Sequence, residues 1–321
     1  MTAIAGLIVC TAGAIQPASA AGYPDRPIRL ITPFPPGGGS DVVARIIGEK
    51  LGSLLGQGVI IENKAGAGGS LGTAFVARAA PDGYTLVLGS TATHAINPSL
   101  YKDLGYDPIK DFAPISPVAS TPLLLIVNSS VPANNVAELV ALAKKRGDRN
   151  EMTFASAGTG SAQHLGGELF KMMTGTNIMH VPYKGAGPAM VDLMAGQVDM
   201  DFDTMGSALP QAGSPKLKVL GISSLSRNPA LPNVPTIAES VPGYEMVTWY
   251  GLFAPHGTPP EIVERLNAAV KQAIDSKDVR DKFGTLAIEP TWSSSADFAA
   301  LLGREVPKWR KVIEQSGAKV D

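Results

Sequence analysis

Several stretches of this chain set glycines and hydroxyls between a hydrophobic run and an amphipathic one. The first is Pro33-Phe34-Pro35-Pro36-Gly37-Gly38-Gly39-Ser40-Asp41. Glycines let a backbone approach a ligand closely, and the first turn of a helix offers N–H groups with partial positive charge. That combination suits an anion, above all a carboxylate. The plain alternative is a turn with Ser40 as the helix cap, although a cap does not need three successive glycines. The second stretch, Ser156-Ala157-Gly158-Thr159-Gly160-Ser161, has the same design and adds the hydroxyls of Thr159 and Ser161 as donors. His164 falls one turn later, either touching a ligand or packed as a structural ring. Gly89-Ser90-Thr91-Ala92-Thr93-His94 ends a strand-like run with hydroxyls, which point into the ligand crevice of a parallel sheet or cap the next element.

Two further groups are weaker. Val181-Pro182-Tyr183-Lys184-Gly185 ends another strand, so Lys184 offers either a charge to a ligand or a solvated surface amine. In Asp199-Met200-Asp201-Phe202-Asp203 the acids alternate and share one strand face. Asp203, at the strand end, can accept from a ligand hydroxyl, amine or bound water. A calcium loop starting at Asp199 would need Gly and Glu at its sixth and twelfth positions, where Thr204 and Pro210 stand. Tyr183, Trp249 and Tyr250 either stack on an aromatic acid or pack in the hinge or core.

Several enzyme classes find no support. There is no G-x-x-x-x-G-K-[ST] phosphate loop, and Gly66-Ala67-Gly68-Gly69-Ser70-Leu71 has leucine where a dinucleotide fingerprint needs its third glycine. His94, His164, His180 and His256 show no close pairing for a metal. Gly68-Gly69-Ser70-Leu71-Gly72 matches the G-x-S-x-G of a serine hydrolase, with His180 or His256 as formal partners. A nucleophile elbow, however, requires the serine directly after a strand. Here Asn63 to Gly69 intervene, so Ser70 reads as a helix cap.

The elements that must position these residues alternate. Strand-like Ile28 to Phe34, Gly58 to Glu62 and Tyr84 to Leu88 alternate with helical Ser40 to Leu55, where Val42, Ile46 and Leu54 mark the spacing, and Ser70 to Ala79. Pro108 to Pro122, with four prolines and no helical pattern, reads as the approach to a domain crossing. A second β-α series runs from Leu123 to Ile222. Pro229 to Pro242 then leads to a strand, Met246 to Ala254, and a helical C-terminal part. This order predicts an α/β fold of two lobes, each a mostly parallel sheet flanked by helices, with two hinge crossings. The expected division is a signal peptide over 1–20, lobe 1 over 21–123 and 250–321, and lobe 2 over 124–249.

The chain has 321 residues, 45% of them apolar, enough for two cores. Net charge is -1 and aromatics are 6%, which argues against a nucleic-acid face. Ile4 to Ile15 is apolar and Ala18-Ser19-Ala20 reads as a cleavage site, so export to the periplasm is expected. The run lacks a preceding Lys or Arg, which a misassigned start codon would explain. The one cysteine, Cys10, lies inside it, leaving the mature chain without thiol chemistry. Leu7-Ile8-Val9-Cys10 fits a lipidation site poorly, because Val9 is too large.

The motifs PFPPGGGSD (33–41), IENKAGAGG (61–69), PDGYT (81–85), HVPYKG (180–185), AGQVD (195–199) and WYG (249–251), in this order, resemble the substrate-binding proteins of tripartite tricarboxylate transporters, the Bug family. The resemblance covers nearly all of the chain after the signal. It implies a type II periplasmic-binding-protein fold that closes on a small carboxylate and delivers it to integral membrane permease subunits. It also implies a carboxylate held by the loops around Phe34, Pro36, Gly37, Gly38 and Ser40 and around Thr159, Gly160 and Ser161. The position of Ser90, beside Thr91, also lies at the site, and less constant residues such as Asp203 read the rest of the ligand. The expectation is thus a monomeric, noncatalytic binding protein without cofactor or metal. A sensor or adaptor would use the same site.

Overall fold

The computed structural model describes residues 22–37, 39–146, 152–183 and 185–317. The expected signal peptide with Cys10, and the candidates Gly38 and Lys184, lie outside the described residues. Among those described, no helix is long and apolar enough to cross a membrane.

The first sheet begins with β1 (Ile28–Thr32), whose β-rich run pairs in parallel with β2 (Val59–Asn63) and β3 (Thr85–Ser90). Between β1 and β2 runs α1 (Gly39–Leu55). Its buried face is Val43, Ala44, Ile47, Gly48, Leu51 and Leu55, the spacing of one helical stripe. The expected markers Val42, Ile46 and Leu54 flank that stripe instead. Small residues at 44 and 48 allow close packing and set the phase, which leaves Val42 free to face the cleft described below. The helix α2 (Ser70–Ala77) connects β2 to β3, and a π-helical turn, Ala92–Ile96, with the short α3 (Asn97–Leu100), follows β3.

The 17-residue strand β4 (Phe112–Asn128) joins the two sheets. Its first part pairs antiparallel with β9 (Val247–Pro255), up to Thr121↔Thr248 and Pro122↔Val247. From Leu123 onward it pairs antiparallel with β7 (Met200–Thr204) and β8 (Leu217–Ile222). The proline-rich approach is therefore itself strand. Proline has no N–H to donate, and the register shifts near Pro114 and Pro117 absorb that loss. The second sheet adds β5 (Thr153–Ser156), parallel to both β7 and β6 (Met179–Pro182). Its helices are α4 (Val136–Arg146), α5 (Ala162–Thr174), α6 (Ala186–Ala195) and the short α7 (Met205–Ala208). The β-α-β units are parallel as expected, whereas the strands that cross between sheets run antiparallel, so both sheets are mixed.

The return crossing lies beside the first. Ser223 Oγ accepts from Leu123 N at 2.7 Å and donates to the Met246 carbonyl, while Ser223 N donates to Leu123 O at 2.9 Å. One serine thus stitches both crossing strands together. The chain closes with α8 (Pro260–Asp275), α9 (Lys277–Thr285), β10 (Glu289–Pro290), which pairs with β4 at Ser120 and Ala119, and α10 (Ser295–Ser316). One core lies between the first sheet, α1 and α8, around Ile28, Leu30, Ile47 and Leu266. Trp249 belongs to another core, edge-on to Phe298 with ring centres 5.6 Å apart, so its role is packing.

Candidate ligand-binding cleft

The loops after β1, β3 and β5 converge on one cleft, as strand ends of α/β sheets do. The loop before α1 is anchored by a carboxylate. Asp41 accepts from Gly37 N at 3.0 Å, from Arg45 Nε and Nη2 at 2.9 and 3.0 Å, and from Asn63 Nδ2 at 3.0 Å. The same Asn63 amide donates to Phe34 O at 3.0 Å. Hydrogen bonding from Arg45, with Gly37 and Asn63 adding to it, lowers the Asp41 pKa to about 2. Ser40 is buried and its hydroxyl meets Thr32 Oγ1 at 2.9 Å. Gly39 permits a close approach: a Cβ there would lie 2.9 Å from the Tyr250 hydroxyl.

The loop before α5 is anchored differently. Gly160 N donates to His164 Nδ1 at 3.1 Å, and Ser161 Oγ caps the helix by accepting from His164 N at 3.2 Å. The His164 ring stacks on His180 with centres 3.9 Å apart, and His180 Nε2 lies 2.6 Å from Ser156 Oγ. Ser156 Oγ in turn accepts from Gly158 N at 3.1 Å. Burial, more than the neighbouring cations, lowers His164 to about 3 and His180 to about 4. Both rings are thus neutral near pH 7, and because His164 Nδ1 is an acceptor, its proton sits on Nε2. Gly160 has φ 80°, a left-handed conformation that a side chain at this position would strain.

Between these loops lie three connected cavities. One of about 630 Å³ is bounded by Phe34, Pro36, Gly37, Ser40, Ser90 and Tyr250 among others. A second, about 300 Å³, adds Thr91, Thr159, Gly160 and Ser161 and shares Phe34, Ala92, Ala162 and Thr248 with the first. A third, also about 300 Å³, shares Gly39, Thr204, Thr248 and Tyr250 with the first. The described lining of all three contains no Asp, Glu, Lys, Arg or His. Ser90 is 1% exposed, and its hydroxyl has no hydrogen-bond partner. Thr91 is a strap as well as a wall: its Oγ1 accepts from Trp249 N at 2.9 Å and donates to Val247 O at 3.3 Å.

His164, Tyr183 and Asp203, expected as ligand contacts, line none of these cavities. His164 holds the Gly160 amide instead. The Tyr183 hydroxyl donates to Asp192 on α6 at 2.7 Å. Asp203 is fully buried behind the wall, accepting from Thr204 N at 2.7 Å and Gln163 Nε2 at 3.4 Å. Burial raises its pKa and that of Asp201. Asp41 and Asn63 were expected only as parts of motifs; their anchoring role is a tertiary contact with no local signal. Ser70 receives Asn97 Nδ2 at 3.2 Å, not a histidine, and borders a separate groove beside α2. Among the described residues, no group of three or more His, Cys, Asp or Glu is placed to hold a metal ion.

Residues 43–318 match the family described as "Tripartite tricarboxylate transporter family receptor". The chain belongs to that family. Protein BugT of Bordetella pertussis is 39% identical over 322 residues, covering 100% of this chain and 98% of its own length. The Rpa4515 protein of R. palustris, solved with adipate, is 37% identical with a TM-score of 0.77, covering 93% of this chain and 100% of its own. MatC from Rhodopseudomonas palustris, solved with bound malate, is 36% identical with a TM-score of 0.73, covering 91% and 100%. Family membership accounts for the two-sheet architecture and makes solute binding the function of the fold. The last two relatives were each solved with a carboxylate, adipate in one and malate in the other.

Proposed function

We propose that this receptor captures a small carboxylate in the cleft, in the periplasm, and hands it to integral membrane permease subunits. The lobes that close on it are 21–123 with 250–321, and 124–249. The single observation that carries the reading is the Ser90 hydroxyl, buried without a partner in a cavity that Gly39 and Ser40 of α1 also line and whose described lining is uncharged. First-turn amides of α1 and α5 have no partners within their helices and present the positive ends of two helix dipoles. Fixed dipoles then replace the ligand's water shell in place of a lysine or arginine. That keeps capture reversible, as delivery requires. A ligand touching both lobes stabilises the closed state, because only there does it gain both sets of contacts.

The test is titration calorimetry on the mature chain, Ala21 onward, against mono-, di- and tricarboxylates, with thermal shift as a parallel readout. Saturable binding of a carboxylate is expected, weakened about tenfold in Ser90→Ala, since one hydrogen bond to a charged group is worth roughly 1.5–3 kcal/mol. A protein freed of any copurified solute that binds no acid defeats the reading. Loss of uptake on deleting the permease genes tests the delivery step separately.

A further inference from the structure

The third cavity has a character of its own. Val42, Tyr250, Leu286 and Ile288 form its walls, with Thr121 and Thr204 among the groups at its edge. Leu286 keeps 43% of its surface exposed, and Val42 and Ile288 are half-buried, so apolar surface stands open to whatever fills the space. The segment that carries two of these walls is fixed. Leu286 N donates to Phe283 O at 3.0 Å and Ile288 N to the same carbonyl at 3.0 Å, before β10 joins β4 next to Thr121. The cavity opens into the larger one along Gly39 and Tyr250, beside the first turn of α1.

A ligand with its carboxylate at the α1 turn therefore extends its other end towards Leu286. What meets it there is apolar surface and neutral hydroxyls. Among the described lining residues none is cationic, and Asp203, which accepts from Thr204 N behind the wall, is an acid. A second carboxylate would lose its water with no positive charge to replace it, whereas an alkyl or aryl end would cover Leu286. We infer that the ligand is an acid with one ionised carboxylate and an uncharged apolar body, an alkyl chain or a single ring, seated between Val42, Leu286 and Ile288. This rests on the carboxylate-binding reading above and narrows it.

Calorimetry with acetate, butanoate, hexanoate and adipate tests it on the mature wild-type chain. Each added methylene is expected to tighten binding about fourfold until the cavity is full. Hexanoate, the matched partner of adipate with a methyl in place of its second carboxylate, is expected to bind at least tenfold tighter. Leu286→Lys, at an exposed position that tolerates a charge, is expected to reverse that order. Adipate binding as well as or better than hexanoate overturns the inference while leaving the carboxylate reading intact. So does tail length without effect, or an unchanged preference in Leu286→Lys. Failure of all four acids to bind, together with every other acid of the panel, removes the underlying reading as well.

Discussion

The loop before α1 is held by a carboxylate, and the loop before α5 by two neutral imidazoles. Both border one cleft, yet their supports respond to different conditions. Asp41 accepts four hydrogen bonds, one from Gly37, two from Arg45 and one from Asn63, and is ionised down to about pH 2. His164 and His180 serve only while uncharged: a proton on His164 Nδ1 would turn the acceptor of Gly160 N–H into a second donor. The lesson is that an amide nest needs a fixed acceptor behind it, and that the acceptor's chemistry decides when the nest fails.

Removing the charged support has the largest expected effect. Asp41→Ala deletes the side-chain acceptor of Gly37 N and leaves the Asn63 amide only the Phe34 carbonyl. A hydrogen bond to a charged group contributes roughly 1.5–3 kcal/mol, so the loss is expected near the top of that range, about 3 kcal/mol. Urea unfolding should show a lower midpoint at unchanged slope, and calorimetry at least tenfold weaker carboxylate binding. If binding survives intact, the Asp41 network is not what orders this loop.

The neutral support sharpens the comparison through pH. Both histidines are depressed by burial, so the folded state binds fewer protons than the unfolded chain below their ordinary value of 6.5. Their contribution to stability is fully present above about pH 6.5 and is lost as pH falls towards about 4 and about 3. The groups facing them are Glu168, 3.9 Å from His164 Nε2, and Lys171, which pairs with Glu168 at 2.8 Å. Asp41 works over a lower window, since its contribution is present above its ordinary 3.8 and lost only towards about 2. His164→Phe keeps a ring against His180 but leaves Gly160 N–H without its acceptor. It is expected to cost roughly 1–3 kcal/mol at pH 7 and to flatten the melting temperature between pH 6.5 and 4. A slope identical to wild type would show that the pair does not set the acid response.

How much of this was legible differs between the frame and its supports. The β-α order and both loops could be read, because glycines and hydroxyls punctuate hydrophobic runs locally. The Ser161 hydroxyl, read as a donor to the ligand, also accepts from His164 N as the cap of α5. The supports could not be read, since Asn63 and Asp41 are 22 residues apart and His180 and Ser156 are 24 apart, on different elements. The strand character of residues 112–122 was hidden by prolines that bulges absorb, whereas the run from Leu123 was read as strand. Tyr183 and Asp203 sit at strand ends, as ligand contacts do, but a turn to Asp192 and full burial carry them away from the cavity surface. Strand ends point towards a crevice; only packing decides which side chain reaches it.

The smallest effects separate the second loop from the serine that mimics a nucleophile. Ser161→Ala removes the α5 cap, which costs about 1 kcal/mol, and is expected to weaken carboxylate binding about fivefold as the first turn frays. Ser70→Ala removes an acceptor for Asn97, whose amide keeps the Gly68 carbonyl at 2.9 Å, and a neighbour of the Tyr106 hydroxyl, which keeps the Thr93 carbonyl. Binding in that variant should therefore match wild type, with stability changed by no more than about 1 kcal/mol. Ser70 borders the groove beside α2 and not the cleft, so nothing but a catalytic role would make it indispensable. If Ser70→Ala abolished function while Ser161→Ala did not, the chemistry would have to be placed at Gly68-Gly69-Ser70-Leu71-Gly72, and the two-loop cleft would lose its claim to the ligand.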